Sequence, residues 1–236
     1  MQHSLNTLGD RIRQGEEGRW LTPEWGEMIV AGPASEHALL LAHGAGAGHD
    51  SAFLCAWRSA LASQGIQTLS LEFAYMRRMR DEGRRRPPPR VDGLCEEYRQ
   101  WRDVMSHLVP GRLWLGGKSM GGRVASMVAA RGEFKERSSV PGLVLMGYPF
   151  HPVGKPERLR LDHWPQLECP VLVLQGERDP FGTREEVVGY ELGERTSVQW
   201  LKDGDHDWSP RKSSGVSQAQ LIDEAAHRTR LFLDQH

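Results

Sequence analysis

The sequence predicts a single α/β domain built on a mostly parallel, doubly wound sheet with helices on both faces. Two observations predict it. Apolar runs that are continuous rather than alternating, such as residues 38–42 and 171–174, are typical of strands covered on both faces. These runs alternate with longer segments whose apolar residues recur at helical spacing, which is the order of elements in a parallel sheet. The chain has 236 residues, and neither a repeat nor a clear linker divides it.

The predicted elements alternate along the chain, strand before helix. One helix is predicted after Asp50, with Gly65 as its end, and another after Asp92. The second carries apolar side chains at alternating spacings of four and three, which form one helical face. Ser217 opens a capping-box pattern that begins the last helix. The strands are predicted at residues 38–42, 66–73, 112–115, 143–146, 171–174 and 198–201, and a helix rich in small residues at 120–130.

The chain is predicted to have an N-terminal extension of uncertain structure at residues 1–24, followed by the α/β domain at residues 25–236. The first residues contain neither the basic nor the apolar segment of a secretory signal. The 3 cysteines have no CxxC or Cys/His metal spacing, so they fit neither a disulfide framework nor a zinc site. We therefore expect a cytoplasmic protein.

Composition argues against several classes of protein. Apolar residues make up 39% and charged residues 26% of the chain, which argues against wholesale disorder. No apolar run approaches the roughly 18 residues of a membrane span. With 30 basic and 31 acidic side chains the net charge is −1, so a generally basic nucleic-acid-binding protein is not expected. The sequence leaves the oligomeric state open.

Residues 77–90 stand out by composition, with seven arginines and a run of three prolines at 87–89. The prolines predict a loop rather than a helix. One interpretation is a solvated surface loop. The other is a positive segment beside a pocket, which would attract anionic substrates or an anionic partner.

The motif that carries chemistry is G-x-S-x-G, at residues 117–121. It lies directly after a predicted strand and directly before a predicted helix, which is the context of a nucleophile elbow. Ser119 would lie at a sharp turn, so Gly117 and Gly121 must be nearly free of side chains. The N–H of Met120, at the start of the helix, would then stabilise an oxyanion.

This segment has two other interpretations. A glycine-rich turn between a strand and a helix can carry no chemistry at all. The letters GKS also suggest a phosphate-binding loop, but the spacing requires a glycine where Arg112 stands, so we reject a Walker A motif.

A nucleophilic serine needs a base, and the base needs an acid to orient it. Asp179 follows the strand predicted at 171–174, and His206 follows the strand predicted at 198–201. Catalytic residues of open α/β sheets collect at such strand ends. We predict Ser119, Asp179 and His206 as a catalytic triad, with Glu177 as the alternative acid.

The second oxyanion donor is predicted in the glycine-rich loop at residues 43–48, as the N–H of Ala45. His43 is predicted to brace this loop from inside. A dinucleotide-binding G-x-G-x-x-G pattern fails because His49 stands where the third glycine belongs. No spacing of histidines and carboxylates suggests a metal site, and the predicted chemistry requires neither metal nor cofactor.

These residues resemble the α/β-hydrolase superfamily over nearly the whole chain, from about Trp25. More narrowly, the segments AHGAGAGHDS, GGKSMGGR, GYPFHPVGKPE, QGERDPFG and DGDHDW resemble a branch of bacterial dienelactone-hydrolase-like hydrolases. That branch is related to a subunit of the eukaryotic non-specific lethal chromatin complex. The resemblance implies an α/β-hydrolase fold with Ser119 as nucleophile, Asp179 as acid and His206 as base. Dienelactone hydrolases themselves use a cysteine nucleophile, so the serine argues against that particular activity.

The connection between the strands predicted at 143–146 and 171–174 is too short for the large cap domain of many esterases. We therefore expect a single domain without a large cap and a comparatively open pocket. Tyr75, Met76, Phe150 and His151 are predicted as walls of the substrate pocket, although ordinary loop packing explains them equally well.

Together these patterns predict a serine hydrolase that cleaves a carboxylic ester or thioester of a small acyl substrate. Amide or peptide cleavage would use the same machinery. The alternative from another class is a non-catalytic interaction module that keeps the fold, as the chromatin-complex resemblance implies.

Overall fold

A computed structural model describes residues 4–22, 26–132 and 140–236. The described residues form eight strands and seven α-helices. In chain order these are α1 (Leu5–Gln14), β1 (Gly18–Thr22), β2 (Gly26–Ala31), β3 (His37–Ala42), α2 (Ala52–Ser63), β4 (Gln67–Leu71), α3 (Ala74–Glu82), α4 (Val91–Leu108), β5 (Arg112–Lys118), α5 (Met120–Ala130), β6 (Leu143–Met146), β7 (Val171–Gly176), α6 (Arg184–Val187), β8 (Thr196–Leu201) and α7 (Gln218–Gln235).

The strands form one sheet in the order β1-β2-β4-β3-β5-β6-β7-β8. Strand β2 runs antiparallel to both of its neighbours, and the strands from β4 to β8 are parallel. The predicted mostly parallel sheet is therefore confirmed. Because β3, β5, β7 and β8 run in one direction, the loops that follow them meet at one edge of the sheet.

The sheet is covered on both faces, as the continuously apolar strands predicted. Along β3, Leu40 packs into one core with α1, α4 and α5, and Leu39 and Leu41 pack into the other with α2 and α7. All six residues of β3 are buried. Because both faces of β3 are covered, no position along the strand points to solvent. This explains why apolar residues follow one another in β3 instead of alternating with polar ones.

Most predicted boundaries agree with the structure, but the N-caps of two helices differ from those predicted. The bounds of α5 and β6 match the prediction, and the capping box of Ser217 is present. Helix α2 is capped by the hydroxyl of Ser51 rather than by Asp50. Asp92 lies within the first turn of α4 instead of before it, where its charge still favours the helix N-terminus.

The prediction that residues 77–90 form a loop is wrong for the first half of that segment. Residues up to Glu82 belong to α3, which ends where Gly83 takes a left-handed conformation with φ 61°. The proline run constrains only its own residues and the one before it, so it does not prevent a helix that ends four residues earlier. Residues 84–90 have no regular secondary structure, as predicted.

The residues predicted as an extension contribute α1 and β1. Leu8 and Ile12 of α1 are fully buried in the core, and the Gln67 side chain donates a hydrogen bond to Ile12 O at 2.9 Å. Strand β1 pairs with β2 at the edge of the sheet. The boundary predicted at residues 24 and 25 lies outside the described residues.

Residues 147–170, which join β6 to β7, contain only one short 3-10 turn at Trp164–Gln166. The predicted absence of a large cap domain is confirmed at this connection. Within residues 4–22, 26–132 and 140–236, none of the helices combines the length and the apolar character that crossing a membrane requires.

Candidate active site

Ser119 occupies a strained turn between β5 and α5. Its φ of 53° and ψ of −116° lie outside the regions that residues with a side chain normally adopt. The turn is held by hydrogen bonds from Ser119 N to Met146 O at 2.8 Å and from Arg123 N to Ser119 O at 3.1 Å. Such a conformation costs about 1–3 kcal/mol and persists where the surroundings enforce it, commonly at functional sites.

Gly117 and Gly121 make this turn possible. A Cβ at Gly121 would lie 2.5 Å from Ala42 O and 2.6 Å from His43 O. A Cβ at Gly117 would lie 2.5 Å from the carbonyl carbon of Gly121. The prediction that both positions must be free of side chains is confirmed, because the turn packs directly against the end of β3.

Asp179 and His206 meet beyond β7 and β8. Asp179 is fully buried, and its Oδ2 lies 2.8 Å from Nδ1 of His206, whose side chain is 23% exposed. The carboxylate is also held by Phe181 N at 2.9 Å and by Gln175 Nε2 at 3.0 Å. The carboxylate of Asp179 can only accept a hydrogen bond, so Nδ1 of a neutral imidazole carries the proton that it donates. Nε2 is then left with a free lone pair.

The alternative acid, Glu177, is directed elsewhere. Its carboxylate accepts from Asp203 N at 2.9 Å and pairs with Arg184 at 2.7 Å. These contacts hold the pKa of Glu177 below its ordinary value, the hydrogen bond from Asp203 N being the larger cause. The structure therefore brings Asp179, and not Glu177, to His206.

In the described part of the chain, no hydrogen bond joins the Ser119 hydroxyl to His206. Such contacts are often long in an unliganded site and tighten when substrate binds.

The loop after β3 passes against the serine. A Cβ at Gly44 would lie 3.8 Å from Cβ of Ser119. His43 is fully buried, and its Nε2 accepts from Phe73 N at 3.1 Å while Nδ1 lies 2.7 Å from Gly44 O. Burial lowers the pKa of His43 to about 4, so the ring is neutral and Nδ1 donates to Gly44 O. The predicted bracing role of His43 is confirmed.

A cavity of about 460 Å³ opens beside the serine. It brings together Ser119 and the two predicted oxyanion donors, Ala45 and Met120. Met120 is the first residue of α5, so its N–H has no acceptor within the helix. The lining residues are Ala45, Pro88, Pro89, Val91, Leu94, Ser119, Met120, Arg123, Pro149, Arg160 and Phe181.

The four predicted wall residues do not line this cavity, and the structure corrects their placement. Tyr75, Met76, Phe150 and His151 are all buried in the interior. Tyr75 instead supports the glycine-rich loop at residues 43–48, since its hydroxyl donates to Ala45 O at 3.1 Å. A sequence does not tell whether an aromatic residue after a strand turns toward the cleft or the core, and here the core gains more from burying it.

Lys118 is a site residue that sequence reasoning missed. Its ammonium is buried and donates to His206 O at 2.6 Å, and Asp207 Oδ1 lies 3.2 Å away. Burial lowers the pKa of Lys118, and the carboxylates of Asp207 and Asp179 oppose that shift. A lysine inside an otherwise apolar strand was the available signal, because a buried ammonium requires partners. Lys118 is the last residue of β5, so it links the loop that contains His206 to the strand that leads into Ser119.

Replacing Lys118 with methionine should lower kcat for the hydrolysis that the sequence predicts about 10-fold to 100-fold, with KM changed much less. Methionine keeps most of the volume but leaves His206 O without its donor, so the backbone that carries the imidazole is held less firmly. Lys202, exposed at the end of β8, gives a matched control as Lys202→Met. Equal loss of kcat in both variants, or a change confined to KM, would contradict this role. Steady-state kinetics on folded protein decides it.

In the part of the chain that the structure describes, no group of three or more His, Cys, Asp or Glu side chains is arranged to hold a metal ion.

A family described as alpha/beta hydrolase domain matches residues 35–234 of this chain. Among solved structures, dienelactone hydrolase from Anabaena variabilis is similar at a TM-score of 0.68 and 16% identity, covering 93% of this chain and 98% of the other. An α/β serine hydrolase without lid from Xanthomonas campestris is similar at 0.65 and 18% identity, with 92% and 94% covered. An α/β serine hydrolase homologue from Coxiella burnetii is similar at 0.63 and 16% identity, with 94% and 97% covered. At these identities the likeness shows a shared fold.

Proposed function

We propose that this chain, which belongs to the α/β-hydrolase family, is a serine hydrolase that cleaves a carboxylic ester or thioester through an acyl-enzyme intermediate. The observation that carries the proposal is the strained conformation of Ser119 in the wall of a cavity. A serine held at φ 53° between a strand and a helix, beside a cavity, has the geometry of a nucleophile elbow. His206, held by the buried carboxylate of Asp179 at the same edge of the sheet, would supply the base that a serine needs.

Acylation begins when Nε2 of His206 takes the proton of the Ser119 hydroxyl. The Ser119 oxygen attacks the acyl carbon, and the negative charge moves to the carbonyl oxygen. The N–H groups of Met120 and Ala45 donate hydrogen bonds to that oxygen. His206 then gives its proton to the leaving alcohol or thiol, and the acyl group remains on Ser119.

Deacylation repeats these steps with water in place of the serine. His206 takes a proton from water, the hydroxide attacks the acyl carbon, and the proton returns to Ser119 as the acid leaves. Asp179 fixes the imidazole with its proton on Nδ1 and stabilises the positive charge that forms twice in each cycle. Gln175 and Phe181 N hold Asp179 in place, so they act as positioning groups.

The test is labelling with a fluorophosphonate probe, followed by peptide mass spectrometry. We expect one labelled peptide, containing Ser119, and none in Ser119→Ala. Ser63→Ala removes an exposed serine on α2 and should label as the wild type does. Folded wild-type protein that does not label at Ser119 would contradict the proposal and favour a non-catalytic module. A labelled protein is then assayed on p-nitrophenyl esters and acyl thioesters of increasing chain length.

A further inference from the structure

Two arginines line the cavity beside the serine, and the proposed mechanism uses neither side chain. Arg123 lies in the first turns of α5, four residues after Ser119, and Arg160 lies in the connection between β6 and β7. Both side chains are half-buried. The two residues bring two positive charges to the wall of a cavity that is otherwise largely apolar.

Neither guanidinium has a carboxylate partner among the described residues. The described ion pairs include Arg131 with Asp92 and Arg184 with Glu177, but none involves Arg123 or Arg160. The Nε–H of Arg123 is buried and has no acceptor. An unpaired buried donor is unfavourable, and it is more so on a charged group. The two arginines are therefore left without a compensating anion from the described residues.

The other ionisable groups around the pair leave its positive charge uncompensated. Burial lowers the pKa of Arg160, and the charges of Arg123 and Arg158 lower it further. His163 is uncharged near neutral pH, because burial lowers its pKa to about 4. Asp162 is exposed, and its charge acts on His163 and Tyr148.

We propose that Arg123 and Arg160 form a carboxylate-binding subsite, so that the preferred substrates are esters bearing a free carboxylate. The inference rests on the proposed function, since it names the substrate class of the same cavity. A carboxylate accepts up to four hydrogen bonds and matches the planar fork of a guanidinium. The apolar walls, formed by residues such as Pro88, Leu94 and Phe181, would hold the body of the substrate.

A carboxylate suits this cavity better than a phosphate dianion. Both groups fit arginine, but the dianion loses more hydration when it enters a cavity with apolar walls. A carboxylate bound beside both residues would reduce the repulsion between their charges, which contributes to the lowered pKa of Arg160. The subsite would therefore orient the substrate as well as select it, because the ester carbonyl must reach Ser119 while the carboxylate is bound.

The experiment compares matched pairs of esters that differ only in charge. One pair is mono-p-nitrophenyl adipate and its methyl ester, with the carboxylate on the acyl side. The other is 4-acetoxybenzoate and its methyl ester, with the carboxylate on the leaving group. Each kcat/KM is divided by the rate of spontaneous hydrolysis of that ester. For the wild type we expect the charged member of at least one pair to be preferred by about 10-fold to 100-fold.

In Arg160→Gln the ratio of the normalised kcat/KM values for the charged and the neutral ester should fall to about one. Arg158→Gln is the matched control, because Arg158 is an exposed arginine two residues away that does not line the cavity. It should keep the preference of the wild type. Equal values for charged and neutral esters in the wild type, or a preference that survives Arg160→Gln, would overturn the subsite while leaving the serine hydrolase intact.

A binding measurement separates failure of the subsite from failure of the proposed function. If Ser119 does not label and no ester is cleaved, the proposed function fails, and adipate binding is then measured by thermal unfolding. We expect 10 mM-scale adipate to raise the unfolding temperature of the wild type and of Arg158→Gln but not of Arg160→Gln, since ligand that binds only the folded state stabilises it. An equal shift in all three, or none in any, would overturn the subsite.

Discussion

Replacing Ser119 with alanine should abolish ester hydrolysis, with kcat falling by roughly a millionfold, as loss of the nucleophile does in serine hydrolases. Alanine removes only the hydroxyl oxygen, so the turn, the cavity and the Asp179–His206 pair should persist. The measurement is kcat/KM on the best ester found, with circular dichroism to establish that the variant is folded. Retained hydrolysis in the folded variant would exclude Ser119 as the nucleophile.

The same position should show a trade between activity and stability. Alanine retains a Cβ, so it keeps the strain of φ 53°, whereas glycine adopts this region at no steric cost. Ser119→Gly should therefore be inactive yet more stable than Ser119→Ala by about 1 kcal/mol, after allowance for the greater freedom of glycine in the unfolded chain. Urea unfolding of the two variants measures this difference. A glycine variant less stable than the alanine variant would mean that the turn stores no strain.

The parts of the fold that sequence predicts best are the buried strands and the amphipathic helices. β6 and α5 match because each has a pattern that admits one structure: four continuous apolar residues, and a helix of small residues after the motif. Strands β1 and β2 were not predicted. β1 lies at the edge of the sheet with a partly exposed, charged sequence, and its pairing with β2 is a tertiary contact that periodicity does not signal.

The candidate site divides in the same way. Residues in the loops that follow strands, such as Ser119, Asp179 and His206, could be predicted as a group, because strand order alone brings those loops to one edge. Residues that act across the fold could not. Gln175 reaches Asp179 and both backbone groups of Tyr148, and Arg160 reaches the cavity from a connection without regular structure. Their roles depend on contacts between segments that are distant in sequence.

Replacing Asp179 with asparagine should lower kcat about 10,000-fold, because the amide favours the wrong tautomer of His206. An amide NH₂ facing Nδ1 would place the imidazole proton on Nε2, which then could not accept the proton of Ser119. The measurement is kcat/KM on the same ester, with the unfolding temperature recorded in parallel. Glu177→Gln, in the same loop, is the matched control and should change kcat less than about threefold, since Glu177 binds Arg184 and Asp203 N. A loss in Glu177→Gln as large as in Asp179→Asn would return Glu177 to the role of acid.

The surroundings of Asp179 also predict that this variant is less stable, whichever way its amide turns. In the wild type one carboxylate oxygen accepts from Phe181 N, and the other accepts from Gln175 Nε2 and faces His206 Nδ1. Both oxygens therefore meet donors, and an amide has only one oxygen to offer. If the NH₂ faces Phe181, two N–H groups oppose each other, and if it faces Gln175, the same conflict arises there. A buried mismatch of this kind costs about 1–3 kcal/mol. The surroundings of residue 179 therefore fit a carboxylate and not an amide. This is expected if the carboxylate has to balance the positive charge that His206 acquires during the reaction.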